Sequence, residues 1–231
     1  MHDLRKYEFT GEERKTVTLE GSTVNVYRIR ATESFGIVKA GETGGWIEGR
    51  GNLSDSGNAW VYDDAVVCGN SRVKGDAEVS GKAAVSGDAV IQGSAVVRGK
   101  AKISGSVVVR DSAKMSGNVT AYEDAVIEEN AEVYGNAVVR GKAIVGGNSE
   151  VWHNADVLSA NHILQIGAIE RGKEPMTFYR DKDGEVTVQF GGFCGKTWEL
   201  LKSISDMHGD KGISRVYSMA VELAETQIGL T

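Results

Sequence analysis

At 231 residues, with 41% hydrophobic and 25% charged side chains, the chain can bury a core and is too apolar for wholesale disorder. A net charge of −6 and the lack of any run of four Lys or Arg argue against bulk nucleic-acid binding. Two distant cysteines, Cys68 and Cys194, exclude a disulfide framework, and 30 glycines against one proline, without a period of three, exclude collagen and point to many tight corners.

The first residues carry no apolar core of a signal peptide, and no stretch approaches 18 apolar residues. A cytoplasmic protein that avoids membranes is the expectation. Residues 1–50 read as a small β cap. Alternation between residues 14 and 30 puts Val17, Leu19, Val24, Val26 and Ile29 inward, with Gly21 near a turn. Such a segment would cover the open end of a stacked β structure after it.

The central part of the chain is a repeat of six. From residue 57 to 158 it divides into seventeen hexads without insertion or deletion: GNAWVY, DDAVVC, GNSRVK and so on to HNADVL. Position one is Gly in 12 hexads and Asp, Glu or His in the others. Position three is Ala in 13, otherwise Ser71, Ser149, Val107 or Val119. Position five is Val in 12 and Ile in three, with Met115 and Ala121 the exceptions.

Positions three and five lie two apart, so in an extended strand both face one way. Position one must turn the chain, and Gly or Asp tolerates the backbone angles required. Each hexad is a short strand plus a corner, and it buries its small and aliphatic pair only when coils stack. No 3.6-residue period runs through the block, which excludes a helix.

These hexads resemble the hexapeptide-repeat family, the left-handed parallel β-helix of the trimeric acyltransferase type, in which three hexads make one triangular coil. Glycine here comes two positions after the aliphatic residue, as in Val79-Ser80-Gly81, rather than directly after it. That variant, with Val38-Lys39-Ala40-Gly41 and Gly44-Gly45-Trp46-Ile47-Glu48 before the repeat, is similar to the YdcK-like branch of the fold. The resemblance covers about residues 1–158. It implies a mainly β, left-handed solenoid over residues 51–158, about 27 Å tall at roughly 4.8 Å per coil, and it says little of activity.

With three hexads per coil, residues 18 apart stack, and position four points outward. The first wall then shows Arg72, Val90, Val108, Val126 and Ile144. The second shows Val66, Ala84, Lys102, Thr120, Val138 and Asp156, and the third Trp60, Glu78, Val96, Lys114, Glu132 and Glu150. The run from Val90 through Val108 and Val126 to Ile144 is an outward aliphatic column. It is expected to be covered by another subunit or by the C-terminal segment. The third wall also carries Tyr134 and Trp152 at stacked position-six sites with His153 next in the chain, either wet aromatic surface or a candidate ligand ledge.

Residues 159–231 read as a separate α+β domain. Strands are expected over 163–169, 176–180 and 185–190, with Asp183-Gly184 as a hairpin turn. Helices are expected over 197–207, with Leu200, Leu201 and Ile204 on one stripe, and after Ser214 as cap, with Tyr217, Val221, Ala224 and Ile228 inward. Gly192-Phe193 through Gly195, with His208-Gly209-Asp210, resembles a C-terminal module of phage-encoded proteins.

Chemistry is sparse. Gly195-Lys196-Thr197 opens a helix, but a phosphate loop needs glycine at position 190, where Phe stands, so at most a weak anion site is expected. Of His2, His153, His162 and His208, only His153 lies in the hexads. Resemblance to the acyltransferases implies a His general base beside a groove for an acyl-coenzyme A donor, which makes His153 the one catalytic candidate. No metal-ligand spacing is present. The expectation is a non-enzymatic homo-oligomer, trimer favoured. It would act as a scaffold or bind a small molecule or host protein without cofactor. An acyltransferase using acyl-coenzyme A and a self-assembling filament are the alternatives.

Overall fold

Three hexads do close one coil. The computed structural model describes residues 5–170, 174–207 and 211–229. It is a parallel β-solenoid flanked by an antiparallel segment at its start and an α+β unit at its end. Strands 18 residues apart pair in parallel on every wall: Val90 with Val108 and Val126 on the first, Ala84 with Lys102 on the second, Lys114 with Glu132 on the third. Each coil's amides donate to the next coil's carbonyls, as Trp60 N does to Ala77 O at 3.0 Å. All position-three and position-five side chains are buried, from Ala59 and Val61 to Ala155 and Val157. Each buried valine contributes roughly 1.5–3 kcal/mol relative to exposure.

The corners explain the residue choice at position one. Gly105 has φ +70°, and a Cβ there would lie 2.8 Å from Glu123 N in the coil below. Five corners carry side chains at positive φ: Asp63, Asp111, Glu123, Glu129 and His153. Four are carboxylates, and each accepts the corner N–H eighteen residues on. Asp63 Oδ2 takes Gly81 N at 2.9 Å, Glu123 Oε2 takes Gly141 N at 2.7 Å, Asp111 takes Glu129 N at 3.2 Å, and Glu129 takes Gly147 N. This bond offsets the strain of the left-handed backbone. For His153 the residue eighteen on lies outside the described residues.

A parallel stack leaves carbonyls unpaired at its first coil, and the N-terminal segment supplies donors. Strands β1 (Tyr7–Val17) and β2 (Thr23–Ala31) form an antiparallel hairpin. Strand β3 (Thr43–Ile47) pairs antiparallel with β2 and parallel with the first strand of the second wall, where Trp46 N donates to Ala65 O. On the third wall, the buried Lys6 Nζ donates to Gly57 O and Ala59 O at 3.1 and 2.8 Å. Burial brings that amine down to about 8 against the pull of Asp55 and Asp76. On the first wall, Asn52 Nδ2 donates to Gly69 O and Ser71 O, both at 2.9 Å.

The hairpin covers more than the end. Val26, Trp46 and Cys68 form a small cluster on the outside of the second wall, and Trp46 lies between the guanidinium groups of Arg14 and Arg28, 4.2 and 5.1 Å from its ring. Two expectations fail here. Val17 and Leu19 are 65% and 38% exposed, not inward. The hairpin tip runs down the outside of the second wall, where Glu20 accepts Ser86 Oγ at 2.9 Å, and Val17 and Leu19 line a small open cavity beside Val66 and Ala84 instead of packing into the core. Trp60, placed outward by the repeat, is wholly buried, because Tyr7 and Phe35 pack edge-on against it at 6.3 and 5.4 Å.

The far end is closed by strands β4 (Ile163–Ile166), β5 (Met176–Arg180), β6 (Val186–Phe190) and β7 (Phe193–Lys196), an antiparallel sheet in chain order. Helices α1 (Thr197–Met207) and α2 (Lys211–Gly229) pack on it around Met176, Phe178, Leu200, Ile204, Tyr217 and Val221. Strand β4 ends at Ile166, short of residue 169. Helix α2 begins at Lys211, so Ser214 is not its cap but lies within it, its carbonyl accepting Ser218 Oγ. No helix among the described residues is long and apolar enough to cross a membrane.

Here the last coil's free amides need acceptors. Thr177 Oγ1 takes Glu150 N at 3.1 Å, and His162 Nδ1 takes Leu158 N at 3.2 Å. His162 is 3% exposed, and burial, with Arg180 nearby, holds its pKa below the usual 6.5. The unfolded chain therefore takes up that proton first, so the contribution of neutral His162 is complete above pH 6.5 and is lost as pH falls through its lower folded value. His162→Asn keeps an acceptor and removes the titration. Thermal melts should show the wild type losing more stability than this variant between pH 7 and 5, and parallel profiles would contradict the assignment.

Candidate functional site

The third wall's last two coils gather the polar and aromatic groups. Position six of these hexads points outward, which brings Tyr134 and Trp152 into edge contact, ring centroids 5.8 Å apart at 90°. Position four stacks Glu132 over Glu150 in the same ladder. Tyr134 Oη donates to Glu132 Oε2 at 2.5 Å, and Lys114 Nζ donates to Glu132 Oε1 at 2.8 Å. From β6, Gln189 Nε2 donates to Glu150 Oε2 at 3.2 Å.

The two carboxylates differ in proton affinity. The bond from Lys114, then that from Tyr134, holds Glu132 below the usual carboxylate range. Burial holds Glu150 above it, helped by the charges of Glu132 and Glu174 and opposed by the bond from Gln189. Tyr134 is pushed up to about 12 by burial and then by its bond to Glu132. A half-buried aromatic pair beside two carboxylates of unequal proton affinity can receive a polar ligand with an apolar face.

The repeat register brings Tyr134, Trp152 and His153 together, and the structure does too, with the His153 ring 6.1 Å from Trp152. Glu132 and Glu150 were legible only as members of an outward column. Gln189 comes from a different strand, and no spacing reports it.

His153 is exposed at a corner with φ +57°. Among the described residues its imidazole makes no hydrogen bond or ion pair, and its ring lies edge-on to Trp152. His2 and His208 lie outside the described residues. Both cysteines are held as thiols: burial pushes Cys68 up to about 11, and Cys194 is also raised by burial while it contacts Tyr179 Oη at 3.5 Å. Among the described residues no group of three His, Cys, Asp or Glu is arranged to hold a metal ion.

The expected weak anion site at Gly195-Lys196-Thr197 is not supported. A cavity of about 350 Å³ opens there, but acids line it. Lys196 Nζ is held by Asp181 and by Glu185 at 2.6 Å, Thr197 Oγ1 donates to Glu225 at 2.6 Å, and Glu199 Oε2 accepts Lys196 N at 2.7 Å. The helix start is occupied by the chain's own carboxylate.

The remaining candidate is the first wall. Val90, Val108 and Val126 line up in one ladder and are half-buried, and Ile144 below them is 47% exposed. The C-terminal sheet meets the last strands of the second and third walls through β5. Among the described residues it makes no comparable contact with the strands of the first wall. Compared with protein-family models and with curated proteins, the chain matches none.

Proposed function

We propose that the protein is a non-enzymatic binding scaffold that assembles with copies of itself, as a trimer, through the first wall. The observation that carries this reading is the flat Val90–Val108–Val126–Ile144 column. It is left open on a solenoid whose two ends the chain itself covers. A contiguous aliphatic column left half-exposed in this way is characteristic of contact faces. The covered ends argue against end-to-end filament growth, and sedimentation showing one small closed oligomer would reject it.

The ledge at Tyr134, Trp152, Glu132 and Glu150 supplies the ligand contact, and no cofactor is needed for binding. Likeness of residues 1–158 to YdcK-like left-handed β-helices, and of the C-terminal unit to phage-encoded modules, supports a phage protein. It would work in the host cytoplasm on a host small molecule or defence protein.

The acyltransferase alternative requires His153 to act on an acyl-coenzyme A donor. Isothermal titration of acetyl-coenzyme A into the full chain at millimolar concentration separates the readings. The scaffold reading expects no saturable heat. Saturable binding that His153→Ala abolishes would overturn it.

A further inference from the structure

We infer that helix α2 of one copy packs antiparallel against α2 of a second copy across a two-fold axis near Met219. This contact is separate from the first wall.

The apolar arc of α2 is wider than its own sheet can cover. One half is buried: Tyr217, Ala220, Val221, Ala224 and Ile228 face the C-terminal core. The adjoining half is Val216, Met219 and Leu223, which are 46%, 58% and 55% exposed. These three have a three-then-four spacing, that of a helix–helix seam, and so lie along one line on the helix surface. A surface helix needs only one apolar stripe to hold itself to its domain, and a second one calls for a partner.

The charges flanking this line say which partner. Arg215 and Glu222 are seven residues apart, so they sit on the same edge of the exposed stripe, about 10 Å from one another along the axis. Both are exposed, and neither forms an ion pair among the described residues. The other edge carries the small Ala220 and turns into the core. An antiparallel pair about a two-fold near Met219 sets Arg215 of each copy against Glu222 of the other. The two complementary contacts are made at once, while the Val216, Met219 and Leu223 side chains meet across the axis. This self-complementarity is what an isologous contact requires. A parallel pair sends the two charged edges to opposite sides of the seam, so that Arg215 and Glu222 meet no partner charge across it. One helix pair is small beside a standard protein interface, so the association is concentration-dependent.

The test is a charge exchange in the full chain, read as mass by sedimentation equilibrium, in wild type and in a Val108→Lys background that weakens the first-wall contact. Arg215→Glu and Glu222→Arg should each raise the dissociation constant of the α2 contact at least about tenfold, because each places like charges together twice. The double variant Arg215→Glu with Glu222→Arg should restore it. Unchanged circular-dichroism melts confirm that these exposed substitutions leave the fold intact. If the single variants leave the mass unchanged, or lower it without rescue by the double variant, the antiparallel contact is overturned. Failure of the first-wall reading shows up separately, as a Val108→Lys mass equal to that of the wild type.

Discussion

Ala101→Leu should lower the melting temperature far more than Lys102→Leu, although the two positions are adjacent. Ala101 is wholly buried at position three, beside Ile103 in its own strand and between Ala83 and Val119 of the neighbouring coils. A leucine there adds three carbons to a closed triangular interior, and the hydrogen-bonded walls cannot move apart to admit them. The largest residue the repeat admits at position three is valine: Val119 stands beside the smaller Ala121 at position five, and Val107 beside an ordinary Val109. Ile103 offers no such relief. The expected cost is about 3 kcal/mol, which for a chain of this length lowers the melting temperature by roughly 6–12 °C. Lys102 points to solvent between Ala84 and Thr120, and its replacement should change stability by less than about 0.5 kcal/mol. A larger loss from Lys102→Leu would reverse the inside and outside of the second wall.

The repeat was readable because its geometry is set by local rules. A strand alternates its faces, a left-handed corner selects glycine, and a closed triangle of three hexads stacks residue i on i+18. Those rules place every wall column and the seventeen corners, including the five without glycine. The N-terminal and C-terminal segments have no period, so their role in closing the stack was legible only in outline. Lys6, Asn52, Thr177 and His162 each replace a missing neighbouring coil with one side-chain atom. Nothing in the order of residues marks them for it. Trp60 misled for the same reason. Its outward direction is correct for its hexad, but Tyr7 and Phe35, more than twenty residues away in sequence, come to lie over it.

The candidate ledge was half legible. Tyr134, Trp152 and His153 fall together by register alone. The distinction between Glu132 and Glu150 depends on the bond from Lys114 one coil away and on the burial of Glu150. The exposed half of α2 also escaped notice. Its apolar residues continue the buried stripe, and only packing shows where the core stops.

The largest consequence for assembly is expected at Val108. It lies midway along the first wall, with Val90 and Val126 as ladder neighbours. A lysine there costs little in the free chain, since its ammonium extends into water. In a face-to-face contact the same charge has to lose its hydration without a partner. The substitution should therefore break the first-wall contact while sparing the fold.

Sedimentation equilibrium of the wild type beside Val108→Lys addresses this directly. A larger mass for the wild type, lost in the variant at equal melting temperature, is the result the open aliphatic wall predicts. Equal masses for the two proteins at every concentration would mean that this wall faces only water, and the assembly proposed for it would have to be abandoned.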